Sequence, residues 1–196
     1  MSGPEDDANL LLRRLGITAP PIPVDEIAEG VGALIIRNNF DGPESGFTLR
    51  DGDRIIIGIN TRTSRKRQRF SVAHEIGHVV MHPLNTLLVD HSVRMDWRDD
   101  VSSLGTNKQE IEANAFAAAL LMPQEMIIDR VKGYTSQVSS REELTSDLAR
   151  VFDVSTEAMG FRLINLGILG PLSCRAVFSP SPEWAIRRHY ASASCA

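Results

Sequence analysis

The sequence has little cysteine, no long apolar run and no excess of basic charge, and each of these absences excludes a class of protein. Its two cysteines, Cys174 and Cys195, lie late and far apart, so a disulfide framework is not expected. No apolar run approaches the roughly 18 residues of a membrane-spanning helix. The formal net charge is −4, so bulk charge gives no reason to expect a nucleic-acid-binding protein.

The N-terminal residues also lack the features of a secretory signal. The first residues, MSGPEDDANLLLRRLG, are acidic where a signal peptide is basic, and their leucine run is too short for its apolar region. We therefore expect a cytoplasmic protein. With 196 residues, 42% of them apolar, the chain is long enough for one domain with a buried core. We expect this domain over residues 1–170 and a C-terminal tail over 171–196.

The pattern of apolar residues and turn residues predicts an α+β fold, with a small antiparallel sheet packed on a mainly helical domain. Three strands are expected at 34–36, 46–49 and 54–59, with Asp51-Gly52 marking a hairpin turn. Residues 83–107 have no clean period and are expected to form a loop. Helices are predicted at 5–15 (stopped by Gly16), at 24–31, from the N-cap Ser64 to Pro83, and at 108–122, 124–132, 141–152 and 156–166.

The motif AHEIGH, within the long helix, carries the strongest chemical signal. His74 and His78 are four residues apart, so they share one face of an α-helix with Cβ atoms about 5–6 Å apart. Two imidazoles at that spacing can bind one metal ion. Glu75 lies about 100° further around the helix. From there it cannot easily bind the ion itself but can reach a water molecule bound to the ion. This is the HExxH pattern of zinc peptidases.

The alternative to a metal site is an exposed helix with two solvated histidines. The residues around the histidines argue against it, because several of them are apolar and lie on different sides of the helix. A helix this apolar is buried, and a buried imidazole pair is costly unless something binds it. The sequence therefore predicts a metal site. The apolar neighbours are Val72, Ala73, Ile76, Val79 and Val80.

A catalytic zinc ion needs a third protein ligand and an open fourth position. His82 lies about 12 Å along the helix axis from His74, too far to share the ion, so we expect only a helix-end histidine there. Glu110, on the helix predicted at 108–122, is the first candidate, and Asn114 one turn along could accept a hydrogen bond from a ligand histidine. Glu110 could also be an ordinary carboxylate at a helix start. The other candidate ligands are Glu112, which points elsewhere on the helix, and the loop residues Asp90, Asp96, Asp99 and Asp100.

Two runs of the sequence resemble the ImmA/IrrE family of bacterial and phage metallopeptidases. They are RQRFSVAHEIGHVVMH and, after a loop, EIEANAFAAALLMP; the runs PPIPVDEIAEGVG, IIIGIN and VSTEAMGFRLINLG also fit. The resemblance implies a zincin-like fold and a gluzincin-like site, with His74, His78 and Glu110 as ligands of Zn²⁺ and Glu75 as general base. It also implies a protein substrate, since relatives often act on, or are encoded beside, helix-turn-helix repressors.

The predicted function is therefore zinc-dependent hydrolysis of a peptide bond in a regulatory protein, such as a helix-turn-helix repressor or an antitoxin. Zinc would polarise the scissile carbonyl, and Glu75 would take the proton of the attacking water. The strand over 54–59, just before the active helix, could offer its edge to an extended substrate. The donor to the developing oxyanion is left open among His82, His91, Tyr134 and several arginines.

Two other functions remain open at this point. One is a zinc-containing regulatory or toxin–antitoxin partner without proteolysis, although a purely structural zinc site has no need of Glu75. The other is a DNA-binding module, with ELTSDLARVFDVSTEAMGFRL as a helix-turn-helix. Residues 141–162 carry three arginines against five acidic residues, which is the wrong sign for phosphate contacts, so a core-packing helix pair is favoured.

A basic cluster lies just before the helix that carries His74 and in its first turns. Such clusters are usually solvated surface, and the alternative is a docking surface for an acidic protein or nucleic acid. The basic cluster consists of Arg62, Arg65, Lys66, Arg67 and Arg69.

Nothing in the spacing of Cys174 and Cys195 requires a thiolate at the zinc ion.

Overall fold

The computed structural model describes residues 3–41, 45–82, 87–89, 106–134 and 140–170. This part of the chain forms seven helices and a four-stranded sheet, which confirms the predicted α+β class. None of these helices is both long enough and apolar enough to cross a lipid bilayer. The elements are α1 (Pro4–Arg14), α2 (Val24–Gly30), β1 (Ala33–Asn38), β2 (Gly46–Asp51), β3 (Arg54–Asn60), α3 (Arg65–Met81), β4 (Leu87–Val89), α4 (Thr106–Leu121), α5 (Gln124–Gly133), α6 (Arg141–Phe152) and α7 (Thr156–Asn165).

The predicted helices form where expected, with ends that differ by two residues or fewer. Helix α1 stops before Gly16, whose φ of +68° lies in the region that favours glycine. Helix α3 begins at the predicted cap, because the Ser64 hydroxyl accepts a hydrogen bond from the backbone N–H of Arg67. Of the three leucines of α1, Leu11 and Leu12 are buried, whereas Leu10 is 62% exposed.

The sheet has the strand order β1-β3-β2-β4 and is mixed rather than purely antiparallel. The predicted hairpin joins β2 to β3, with Asp51 opposite Arg54 and Gly52 at φ +60° in the turn. Strand β2 runs opposite to β1, and the hairpin reverses the direction once more. Strand β3 therefore returns to the direction of β1, and the two strands pair in parallel.

Two predictions about the strands are wrong. The region 83–107 was expected to be a loop, but residues Leu87–Val89 form β4, which pairs antiparallel with β2. Three residues are too short a run to show the alternation that identifies a strand. Strand β3 cannot offer an edge to a substrate, because β1 and β2 occupy both of its edges. In the described sheet, β1 and β4 are the outer strands.

Helix α3 is the central element, since it contacts α4 as well as strands β2 and β3. Its residues Val72, Ala73 and Ile76 have no exposed surface. Gly77 lets α4 approach closely: a Cβ atom at position 77 would lie 3.3 Å from the Cα atom of Ala113 and 3.2 Å from the ring of Phe116. The small residue therefore brings the histidine-bearing face of α3 against α4.

This close approach predicts opposite effects for two Gly→Ala changes. Gly160→Ala, where the nearest atom would lie 3.8 Å from the new Cβ, is expected to raise the free energy of unfolding by up to about 1 kcal/mol through helix propensity. Gly77→Ala is expected to lose that gain to overpacking, which costs about 1–3 kcal/mol. Urea denaturation of both variants measures the difference. Equal stabilisation by the two changes would contradict this account of helix packing.

Helices α6 and α7 pack into the core of the domain, as expected of a core-packing helix pair and not of a DNA-binding helix-turn-helix. Leu148, Phe152 and Met159 are completely buried. Arg162, the one cation that a recognition helix would present, is only 7% exposed. Its guanidinium donates to the Met122 carbonyl at 3.0 Å and pairs with the Glu5 carboxylate at 2.6 Å. These contacts weigh against the DNA-binding interpretation, because Arg162 is already engaged within the domain.

Candidate metal centre

The two histidines of the HExxH motif lie side by side on the buried face of α3. His74 and His78 are each 2% exposed. Their Nε2 atoms lie 3.0 Å apart, and their rings meet edge to face. The one-turn spacing thus directs both Nε2 atoms to a common point.

Glu110 of α4 faces the same point. Its Oε2 atom lies 3.1 Å from His74 Nε2, and its Oε1 atom lies 3.3 Å from His78 Nε2. Burial raises the pKa of Glu110, but the close contacts with His74 and His78 and the charges of these histidines outweigh it and lower the pKa to about 2. The carboxylate is therefore ionised at neutral pH, as a metal ligand must be.

These three side chains fit a metal ion. A ligand atom from each of His74, His78 and Glu110 lies within 4.8 Å of the others. Ligand atoms about 2.0–2.2 Å from a tetrahedral ion are about 3.3–3.6 Å from each other, close to the spacing seen here. Glu110 Oε2 is moreover buried without a hydrogen bond, and an ion would satisfy it. Two imidazoles and a carboxylate are the ligand set of many catalytic zinc sites.

A second layer of polar groups holds the histidines. Asn114, one turn beyond Glu110, has its Oδ1 atom 3.1 Å from His74 Nδ1. His82 caps the C-terminal end of α3 through its backbone N–H, and its ring Nδ1 lies 3.1 Å from His78 Nδ1. Its Nε2 atom lies 3.1 Å from a carboxylate oxygen of Glu112.

Glu110 and Glu112 therefore have different surroundings. The structure brings Glu110 to the histidine pair and turns Glu112 to His82. The hydrogen bond from His82 lowers the pKa of Glu112. Two residues correspond to about 200° of helix rotation, so both carboxylates cannot face the same point.

Glu75 is buried beside the cluster, with 1% of its surface exposed. The hydroxyl of Thr48, in β2, donates a hydrogen bond of 2.6 Å to Glu75 Oε2. A Cβ atom at position 46 would lie 3.1 Å from Glu75 Oε1, so Gly46 leaves the carboxylate its space. Sequence analysis missed Thr48, because the alternation of GFTLR groups the apolar Phe47 and Leu49 on one face of the strand and leaves Thr48 on the other face with Arg50.

The contact between Thr48 and Glu75 predicts a loss of activity in Thr48→Val. Without the hydroxyl the Glu75 carboxylate is less firmly positioned, so we expect kcat to fall by about tenfold or more. Metal content should not change, because Thr48 contacts no member of the His74–His78–Glu110 cluster in the described contacts. Thr48→Ser keeps the hydroxyl and is expected to retain most of the activity. A Val variant as active as the Ser variant would exclude this role.

Comparison with known proteins identifies the family. The family model Peptidase_M78, described as the IrrE N-terminal-like domain, matches residues 28–164, which is well over half of the chain. The chain belongs to the ImmA/IrrE family. This membership implies a metallopeptidase-type domain with a bound metal ion.

Three curated relatives of the ImmA/IrrE domain support this assignment. The chain is 26% identical over 132 residues to the uncharacterized immunity region protein 2 of Bacillus phage phi105, an overlap of 67% of this chain and 73% of the phage protein. It is 34% identical over 115 residues to the radiation response metalloprotease IrrE of Deinococcus deserti, covering 58% of this chain and 37% of that protein. For IrrE of Deinococcus radiodurans the identity is 31% over 107 residues, covering 50% and 30%. The chain thus spans only about a third of each IrrE protein.

The fold of the ImmA/IrrE domain is also found in a solved structure. A Mycobacterium tuberculosis transcriptional regulator superposes with a TM-score of 0.54 and 15% identity, covering 82% of this chain and 46% of that one. At this identity the similarity shows the fold alone.

Part of the charge of the basic cluster is neutralised within the chain, by the carboxylates of Asp41 and Asp153. Four of its five residues bind partners in the domain, and the acidic partners lower its net charge. This favours the interpretation as solvated surface over that of a docking surface. The contacts join Arg62 to Asp41, Arg65 and Arg69 to Asp153, and Arg67 to Ser45.

The candidate oxyanion donors His82 and Tyr134 have other contacts in the structure. His82 is turned to His78 and Glu112, and Tyr134 packs against the core cluster. Several sequence candidates lie outside the described residues: Asp90, His91, Asp96, Asp99, Asp100, Cys174, Cys195 and the whole tail over 171–196.

Proposed function

We propose that this protein is a zinc-dependent endopeptidase that hydrolyses a peptide bond in a regulatory protein. The observation that carries the proposal is the buried carboxylate of Glu75, which follows His74 directly in α3 and is held by Thr48. A zinc site that serves only structure has no need of a general base at this position. This favours a peptidase over a regulatory partner that binds zinc without proteolysis.

The proposed chemistry assigns one task to each side chain. When bound through His74, His78 and Glu110, a zinc ion supplies Lewis acidity, which polarises the scissile carbonyl and lowers the pKa of the attacking water toward about 7. Glu75 accepts the proton of that water and passes it to the leaving amine. Thr48 fixes the position from which Glu75 moves the proton.

The proposed substrate is a helix-turn-helix repressor or an antitoxin. Two observations support a regulatory target: one relative is named after a phage immunity region, and two are named as radiation response metalloproteases. A target of this kind would be met in the cytoplasm. The protein itself would need no contact with DNA, in keeping with the engagement of Arg162 inside the domain.

The test is cleavage of the regulatory protein encoded beside this gene. Wild-type protein and Glu75→Gln are each co-expressed with it, and the products are analysed by intact-mass spectrometry. The proposal predicts two complementary fragments with wild type and an uncut target with the variant. Cleavage in both cases would indicate a contaminating protease. A stable complex without cleavage in either case would favour the non-proteolytic partner instead.

A further inference from the structure

We propose that His82 and Glu112 form a hydrogen-bonded chain that holds the imidazole of His78 in a single tautomer, with its Nε2 atom facing the metal centre. His82 and Glu112 act here as positioning residues and not as ligands. The inference rests on the proposed zinc site but is independent of whether the protein cleaves a substrate.

The chain of contacts is continuous and mostly buried. It runs from His78 Nδ1 to His82 Nδ1 over 3.1 Å, and from His82 Nε2 to Glu112 Oε2 over 3.1 Å. His78 is 2% exposed and His82 is 8% exposed. Glu112 lies at the outer end, where its side chain is one-third exposed and its other oxygen lies 3.6 Å from Lys108 Nζ.

The chemistry of the three groups fixes the direction of the hydrogen bonds. An ionised carboxylate accepts only, so Glu112 requires the proton of His82 on Nε2. A neutral His82 then has a lone pair on Nδ1, and this atom accepts from His78. The proton of His78 must therefore lie on Nδ1, which leaves the lone pair of Nε2 available for a metal ion at the point that Glu110, 3.3 Å away, also faces.

The arrangement gives each ligand histidine its own acceptor. His74 has the amide oxygen of Asn114, from α4, 3.1 Å from its Nδ1 atom. His78 has the ring of His82, from the end of its own helix, and that ring is in turn held by α4 through Glu112. The role of His82 as a helix cap uses its backbone N–H and does not require its ring. The ring contacts therefore need a separate explanation, and the positioning of His78 supplies it.

The first test reads the tautomer of His78 directly in metal-free protein. Nitrogen-15 NMR of the imidazole is recorded at a pH where the histidines are neutral, for wild type, His82→Leu and His82→Asn. We expect the Nδ1–H tautomer to predominate in wild type and a mixture in His82→Leu. The Asn side chain places an amide oxygen near the original Nδ1 atom and should restore the wild-type tautomer. A single Nδ1–H tautomer in all three proteins would overturn the proposal.

The second test measures zinc affinity by competition with a chelator. Loss of an outer partner typically lowers metal affinity by about 10–100-fold, and we expect His82→Leu to lie in this range, with His82→Asn closer to wild type. Glu112→Ala should lower the affinity less and should add nothing in the His82→Leu background, because both changes interrupt one chain. Lys108→Met is the matched control, since it removes only the exposed partner of Glu112 and should leave the affinity unchanged.

The outcomes separate this inference from the proposed function. Unchanged zinc affinity in both His82→Leu and Glu112→Ala would reject the chain, whatever the activity of the variants. If His82→Leu does not fold, the change at Glu112, whose side chain is partly exposed, still decides the question. If wild type binds zinc and cleaves no protein, the proposed function fails while the positioning role of His82 stands.

Discussion

Replacement of Glu110 by Gln is expected to remove most of the zinc affinity, whereas the same change at Glu112 is expected to leave it nearly intact. Glu110 faces the Nε2 atoms of His74 and His78 at 3.1 and 3.3 Å, and a neutral amide is a poor substitute for a carboxylate ligand. We expect zinc affinity to fall by more than the roughly 10–100-fold caused by removing a residue that only hydrogen-bonds to a metal ligand. Hydrolysis should be lost in parallel.

Glu112→Gln is the matched control because the two residues share a helix and differ only in the face they occupy. A Gln at position 112 retains an oxygen that can accept from His82, so the orientation of His78 should survive. Chelator competition and metal analysis after dialysis measure both variants. A larger loss of zinc in Glu112→Gln than in Glu110→Gln would show that the third ligand had been assigned to the wrong carboxylate.

The parts of this site that the sequence predicts are those fixed by helix geometry. His74 and His78 must share a face because they are four residues apart, and Glu75 must lie beside them. The same rule separates Glu110 from Glu112, since residues two apart lie on nearly opposite sides of a helix. Knowledge of the spacing was therefore enough to select which side chains could converge, once α3 and α4 were known to pack.

The features of the site and the sheet that the sequence does not predict depend on contacts between residues far apart in the chain. Thr48 lies 27 residues before Glu75, and only the pairing of β2 within the sheet brings the two together. The parallel pairing of β1 with β3 likewise depends on the whole sheet and not on either strand. Local patterns carry no information on such contacts, which the tertiary structure decides.

His82 shows how a correct distance argument can still miss a role. Its position along α3 excludes it as a ligand beside His74, and the structure places it at the helix end as expected. Its ring, however, lies between His78 and Glu112. The backbone of His82, the C-cap residue, has already left the helical conformation, with φ −115° and ψ 142°. Its ring therefore need not lie on the helix face that regular helix geometry would predict for residue 82.

Glu75→Gln is expected to abolish measurable hydrolysis while the protein continues to bind zinc. General acid–base catalysis by a positioned side chain contributes about 10²–10⁴-fold, and the amide can neither accept nor return the proton of the attacking water. The change is nearly isosteric, so the hydrogen bond from Thr48 has an acceptor in the side-chain oxygen. The measurements are kcat/KM on the cleaved target and the zinc content of the same sample.

Two further variants make the result specific to the carboxylate. Glu125→Gln, on the exposed surface of α5, is the control for the chemical change itself and should retain wild-type activity. Glu75→Asp keeps the charge but withdraws it by one methylene from a site where Thr48 and Gly46 leave little freedom. It is expected to recover some activity over Glu75→Gln without reaching wild type. Full activity in Glu75→Gln with zinc bound would mean that another group moves the proton, and the role assigned to this carboxylate would have to be abandoned.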